Sequence, residues 1–185
     1  MRAAHRTYGL QTRVTICPNN YGPRQYPEKL VPLFLANILL GRPLPIYGDG
    51  LNIRDWLHVD DHARGLGLVL DQGEAGGTYH LGGGAGRTNL QMVDTLYAAV
   101  DALFAEEPVF ARSYPNAPPA RDLPSASLKS FVPDRLGHDR RYAIDSAKAA
   151  HALGPVPQRS LEDGLADTIR WYVANADWWR PKLRA

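Results

Sequence analysis

Cysteine is all but missing from this chain: Cys17 stands alone among 185 residues, so no internal disulfide can form. A reducing cytoplasm is the simplest compartment for such a sequence. Six histidines are present, at positions 5, 58, 62, 80, 138 and 151, but none falls into an HExxH or Cys/His spacing. A metal site is therefore not expected. Long apolar runs are also lacking. None approaches the roughly 20 residues needed to cross a bilayer, and MRAAHRTYGL has no apolar core of the kind a signal peptide needs. The net charge of +2 is too small to point to nucleic acid. No GxSxG elbow is found, and Cys17 has no identifiable base, so nucleophilic catalysis is not indicated. What remains is a globular composition, 44% hydrophobic and 22% charged, in a length that suits one sizeable core.

The most informative stretch is Cys17 to Leu30, CPNNYGPRQYPEKL. It follows a β-branched run, Thr12 to Cys17, read as a buried strand, and precedes LVPLFLANILLG, read as a helix closed by Gly41. In open α/β sheets, ligands bind beyond the carboxyl ends of strands. Three prolines stiffen this loop and present Asn19, Asn20, Tyr21, Glu28 and Lys29; an ordinary turn-rich connection is the competing reading. Arg2 to Tyr8, stopped by Gly9, reads as the tail of a helix.

Further along, Leu44 to Tyr47 and Asn52 to Val59 read as strands joined in a hairpin across Gly48-Asp49-Gly50, and Asp60 as the cap of a helix to about Asp71. Arg54 is suited to bidentate capture of a phosphate, although on the residues alone a local ion pair with Asp55 or Asp60 is the favoured reading. GGTYHLGGGAG gives a strand and a glycine cluster, with Thr88-Asn89 opening a helix to about Phe104. Glycines beside a helix start can admit an anion, although the spacing is not GxGxxG. Ala105 to Lys129, rich in Pro, Ala and Ser, reads as a long, partly mobile loop or insertion. Arg135, His138, Arg140 and Arg141 crowd a turn before the strand-like Tyr142 to Asp145, which suits a diphosphate or a solvated basic turn. Two helices follow, from Ser146 and from Ser160. Ile169, Trp171, Tyr172, Trp178 and Trp179 are assigned to packing.

NNYGP, PEKL, PLPIYGDG, NIRDWLHVDDHARGL and DRLGHDRRYAID, in this order, closely resemble the C-terminal half of the dTDP-glucose 4,6-dehydratases. Those enzymes belong to the extended short-chain dehydrogenase/reductase family. The likeness covers nearly the whole chain apart from residues 105–129. It implies an α/β fold: part of an extended Rossmann-type nucleotide-sugar enzyme, a small mixed α/β substrate-binding domain with one or two Rossmann elements. Residues 1–28 would end a dinucleotide-binding domain and 29–185 would form the nucleotide-sugar domain.

The resemblance places substrate contact on Asn19 and nearness to the nicotinamide cofactor on Asn20. It places the nucleotide-sugar site on Lys29 and Leu30, and thymine contact on Pro45, Ile46 and Tyr47. The diphosphate region falls to Arg54 and Asn89 with Asp134, Arg135, Leu136, Gly137 and His138. Pro18, His58, His80 and Leu136 depart from the family's usual serine, tyrosine, asparagine and proline. No catalytic residue is expected here, because the family's glycine-rich loop, acidic pair and YxxxK motif are not found. NAD is then the cofactor of the complete enzyme, and binding of it by this chain alone is not expected. The implied partners are a dTDP-sugar, a cofactor-binding N-terminal half in cis or trans, and a second copy in a homodimer, with no nucleic acid and no membrane. A related UDP-sugar epimerase or decarboxylase and a non-catalytic nucleotide-sugar binding module stay open as alternatives.

Overall fold

The structure is a computed structural model that describes residues 1–84 and 86–184. Ala85, inside the glycine cluster, and Ala185, at the end of the expected sugar domain, lie outside the described residues. In chain order the elements begin α1 (Arg2–Tyr8), β1 (Val14–Ile16), β2 (Asn19–Tyr21), α2 (Leu30–Leu40), β3 (Leu44–Tyr47), β4 (Ile53–Arg54), β5 (Trp56–His58), α3 (Val59–Gln72) and β6 (Thr78–His80). They continue with β7 (Arg87–Thr88), α4 (Asn89–Glu106), α5 (Val109–Ser113), β8 (Lys129–Val132), β9 (Arg141–Tyr142), α6 (Ala147–Leu153), α7 (Leu161–Ala174) and α8 (Ala176–Trp179). No described helix is long and apolar enough to cross a membrane.

The chain packs as two compact units, each drawn from three separate segments: Met1–Tyr21, Ile53–Gly86 and Arg141–Leu161 in one, Gly22–Asn52, Arg87–Arg140 and Glu162–Ala185 in the other. The functional boundary expected after residue 28 is a different kind of division from this geometric one.

The first unit is built on parallel strand pairs: β1 with β6, β2 with β5, and β4 with β9. Parallel neighbours need a long crossover between them, and α3 and α6 supply apolar faces for that purpose. Leu57, Val69, Tyr79, Leu81, Ala149, Leu153 and Val156 form its buried cluster. Gly83 passes so close to the Trp56 carbonyl that a Cβ there would collide with it. Two expectations are corrected here. The strand from Thr12 to Cys17 is shorter and less buried, with Ile16 exposed. Helix α3 is capped by His58, whose Nδ1 accepts from the Asp60 N–H at 3.2 Å, and not by Asp60.

The second unit surrounds α2 and α4. Helix α2 is apolar nearly all round and is buried accordingly, with Leu35 and Ile38 inaccessible. It ends at Gly41, whose φ of 66° is the left-handed geometry expected of a helix stop. Helix α4 starts from a full capping box, with Thr88 and Gln91 each accepting the other's backbone N–H. Two further readings fail. The hairpin across Gly48–Gly50 does not form: β3 pairs in parallel with β8, while β4 and β5 find parallel partners of their own. The turn itself is real, closed by Gly50 N–H to Tyr47 O at 3.2 Å, but a turn constrains only the residues it contains. Residues 105–129, expected as a long, partly mobile loop or insertion, are not without secondary structure. They hold α5 and two 3-10 turns, Pro118–Arg121 and Ser125–Leu128, and are pinned by the buried Tyr114 hydroxyl to Val173 O (2.6 Å) and by Ser125 to Asp101 (2.5 Å). The packing assigned to the terminal aromatics holds for Ile169, Tyr172 and Trp179, which are buried.

Candidate functional site

In the second unit, the β3–β8 register sets Tyr47 opposite Val132, so two turns that are far apart in sequence leave the strands side by side. One is Gly48–Leu51; the other is Pro133–Arg140. Gly48 N–H donates to Val132 O at 3.0 Å; its φ of 59° disfavours any side chain, which would also crowd the Asp134 carboxylate. Ile46 is buried as a strand anchor, while the Tyr47 ring is 45% exposed with the Arg135 guanidinium 5.9 Å from its centroid. A flat apolar face and a cation therefore stand together.

The polar groups around that face are arranged in pairs. His138 Nδ1 lies 2.8 Å from Asp134 Oδ1, which also accepts the Arg135 N–H at 2.9 Å. The histidine contact, helped by that N–H, holds the Asp134 carboxyl below the usual carboxylate range. Arg140 donates to both oxygens of Asp49, at 2.8 and 3.0 Å, and lowers its pKa likewise. Asn52 links the two turns to α4: its side-chain amide donates to Asp139 O at 3.1 Å, and its carbonyl accepts the Asn89 N–H at 2.9 Å. Its own Oδ1 is buried without a hydrogen-bond partner among the described residues. Leu136 and Gly137 are exposed at the tip of the basic turn.

Pro45, Ile46, Tyr47, Asn89 and Asp134 to His138 are thus brought to one neighbourhood within this unit. Lys29 and Leu30 open α2 in the same unit, and the Lys29 ammonium has Glu28 as its partner at 2.7 Å. Sequence reasoning left out Asp49 and Asn52, which organise the group. The glycine flanks of Asp49 are a usable signal, but the same flanks also mark a hairpin turn.

The first unit holds Asn19, Asn20 and Arg54. The NNY of the expected loop is strand β2, paired in register with β5, Asn19 opposite Trp56 and Asn20 opposite Leu57. The side-chain amide of Asn20 donates to Cys17 Sγ at 3.4 Å and to Pro18 O at 3.1 Å, folding back on its own segment. Arg54 is buried, and Nη1 donates to Ile53 O at 2.7 Å. The carboxylate of Asp55, one of the ion-pair partners considered for Arg54, accepts the N–H groups of Trp56 (2.9 Å) and Gly83 (3.0 Å). Asp60, the other, is paired with Arg159 at 2.6 Å.

This chain is 48% identical over 177 residues to a dTDP-glucose 4,6-dehydratase of Actinoplanes sp., covering 96% of this chain and 48% of that protein. Among solved structures it is similar to the dTDP-glucose 4,6-dehydratase of Streptomyces venezuelae, solved with NAD bound, at 46% identity and a TM-score of 0.82. That match covers 98% of this chain and 49% of the other. The UDP-glucose 4-epimerase of Thermotoga maritima is more distant, at 30% identity and a TM-score of 0.75, over 93% of this chain and 49% of that one. The chain spans about half the length of the relatives it matches. The mixed α/β fold implied by the sequence resemblance is that of these extended short-chain dehydrogenase/reductase enzymes, with small parallel sheets. Residues 1–168 match the family model described as GDP-mannose 4,6 dehydratase, and the chain belongs to that family.

Proposed function

We propose that this chain is the nucleotide-sugar binding portion of a dTDP-glucose 4,6-dehydratase, the enzyme that converts dTDP-glucose to dTDP-4-keto-6-deoxyglucose and water. The observation that carries the reading is the pairing of the exposed Tyr47 face with the Arg135 guanidinium beside the basic turn. A nucleoside diphosphate needs both features, an apolar surface for its base and guanidinium or imidazole donors for its phosphates. Pro45, Ile46 and Tyr47 are assigned to the base; Asn89 and Asp134 to His138 are assigned to the diphosphate. Lys29 and Leu30 are assigned to the sugar nucleotide. In the first unit, Asn19 is assigned to substrate and Arg54, already desolvated by burial, to phosphate. The Asp134 and Asp49 carboxylates hold His138 and Arg140 in place until a more highly charged anion competes for them.

This chain's own residues would bind and orient the substrate, which contributes by fixing the reacting carbons in place. NAD belongs in this reading to the complete enzyme, as the Streptomyces venezuelae structure was solved with NAD bound, and it would supply hydride transfer there. Asn20 is this chain's one candidate toward it, and its amide is engaged within its own segment. Proton and hydride transfer are assigned to a cofactor-binding portion in cis or trans. A UDP-sugar epimerase is the second reading, favoured by the likeness to the Thermotoga maritima structure.

Turnover separates these ideas. With NAD and dTDP-glucose, the chain alone should form no 4-keto sugar, and addition of a dehydratase cofactor-binding half should restore it. Product from the chain alone would refute the division of labour, and epimerised UDP-sugar from the mixture would favour the second reading.

A further inference from the structure

The loop that leads to Lys29 is gripped by the other end of the second unit. Arg24 holds φ at 64°, in the left-handed region that residues other than glycine seldom occupy, and its guanidinium lies 6.0 Å over the Trp171 ring. The next residue, Gln25, offers its carbonyl to the Tyr172 hydroxyl. Tyr172 is fully buried, so that hydroxyl has no water to turn to, and burial pushes its pKa upward. Two consecutive loop residues are therefore held by two consecutive residues of α7.

The gripping side is itself rigid. Trp171 packs edge-on against Tyr172 at 5.0 Å and Trp178 at 5.1 Å. Lys182 lies 4.1 Å over the Trp178 ring and donates to Trp178 O at 2.6 Å, and the buried Trp179 indole donates to Tyr172 O at 2.8 Å. On the loop side, Pro27 is buried, and the Lys29 N–H donates to Tyr26 O at 3.2 Å just before α2 begins. Residues 26–29 are thus strung between a clamp at Arg24–Gln25 and the start of a buried helix. Core packing alone explains neither residue, since a phenylalanine would fill the space of Tyr172 and glycine would suit the left-handed turn at position 24 better than Arg24 does.

We propose that Trp171 and Tyr172 are positioning residues, an aromatic brace that sets the backbone of residues 22–29 and through it the presentation of Lys29 to the nucleotide sugar. The ligand part of this inference rests on the function proposed above; the brace itself does not.

Trypsin reads the brace directly, because Arg24–Gln25 and Lys29–Leu30 are cleavable bonds on either side of it, and Arg112–Ser113 in the same unit serves as a control. Tyr172→Phe, which removes only the hydroxyl, should speed cleavage after Arg24 and Lys29 roughly five- to tenfold while cleavage after Arg112 is unchanged, as loss of one buried hydrogen bond implies. Trp171→Leu should do the same and Trp171→Phe should return the rate toward wild type. Wild-type rates at both loop bonds, or an equal rise after Arg112, would overturn the brace. Affinity for dTDP, measured on the same proteins and on Lys29→Ala, tests the other half. A loss in all of them supports presentation of Lys29. Faster loop cleavage with unchanged affinity in both Tyr172→Phe and Lys29→Ala would overturn the binding assignment of Lys29 and leave the brace standing.

Discussion

Replacing Arg135 by alanine isolates the phosphate-binding claim from the stability of the fold. Arg135 is exposed, and beyond its turn the guanidinium makes a cation–π approach to Tyr47 at 5.9 Å, worth about 0.5 to 1 kcal/mol at a surface site. Removing it should lower the melting temperature by roughly 1 to 4 °C in a domain of this size. A charge-assisted hydrogen bond to phosphate is worth about 1.5 to 3 kcal/mol, so the dissociation constant for dTDP should rise roughly 10- to 150-fold. Affinity for thymidine, which lacks phosphates, should change little. Calorimetric titration of Arg135→Ala with dTDP and with thymidine measures both effects. An equal loss for the two ligands would mean that Arg135 acts only by supporting Tyr47, and an unchanged dTDP constant would remove Arg135 from the site.

Three other outcomes follow from the geometry. Gly83→Ala should unfold the first unit or destabilise it by more than about 3 kcal/mol, because its Cβ would meet the Trp56 carbonyl and backbone must move; a native urea midpoint would refute that packing. Arg54→Ala should weaken dTDP binding by about 1.5 to 3 kcal/mol, and retained affinity in a folded variant would return Arg54 to a structural role. Acid should destabilise the protein below about pH 4. Asp134, Asp49 and Asp60 are held below the usual carboxylate range by His138, Arg140 and Arg159, so the unfolded chain takes up protons first as the pH falls. Urea midpoints from pH 6 to pH 3 should fall less steeply in Asp134→Asn than in wild type, and parallel curves would contradict the pairing.

Local signals carried the helices. Gly41 stops α2 where expected, and Thr88 starts α4 through a cap visible in the sequence. Strand pairing was less legible, because a parallel partner is chosen by the whole topology and not by neighbouring residues. Tyr47 and Ile53 flank a true turn, yet they pair with Val132's strand and with Arg141. Residues 105–129 look like a linker by composition, but Tyr114, Ala117 and Ser125 are buried by contacts that no local periodicity announces. The basic turn was legible as a surplus of cations. Its pairing with Asp49 was not, since Arg140 and Asp49 are joined only by the β3–β8 register.

The central claim is that this chain recognises the nucleotide of an activated sugar without holding the redox cofactor. Calorimetric titration of the 185-residue chain with dTDP and, separately, with NAD tests it most directly. Saturable binding of dTDP with no heat from NAD is the predicted result; binding of NAD with none of dTDP would contradict it.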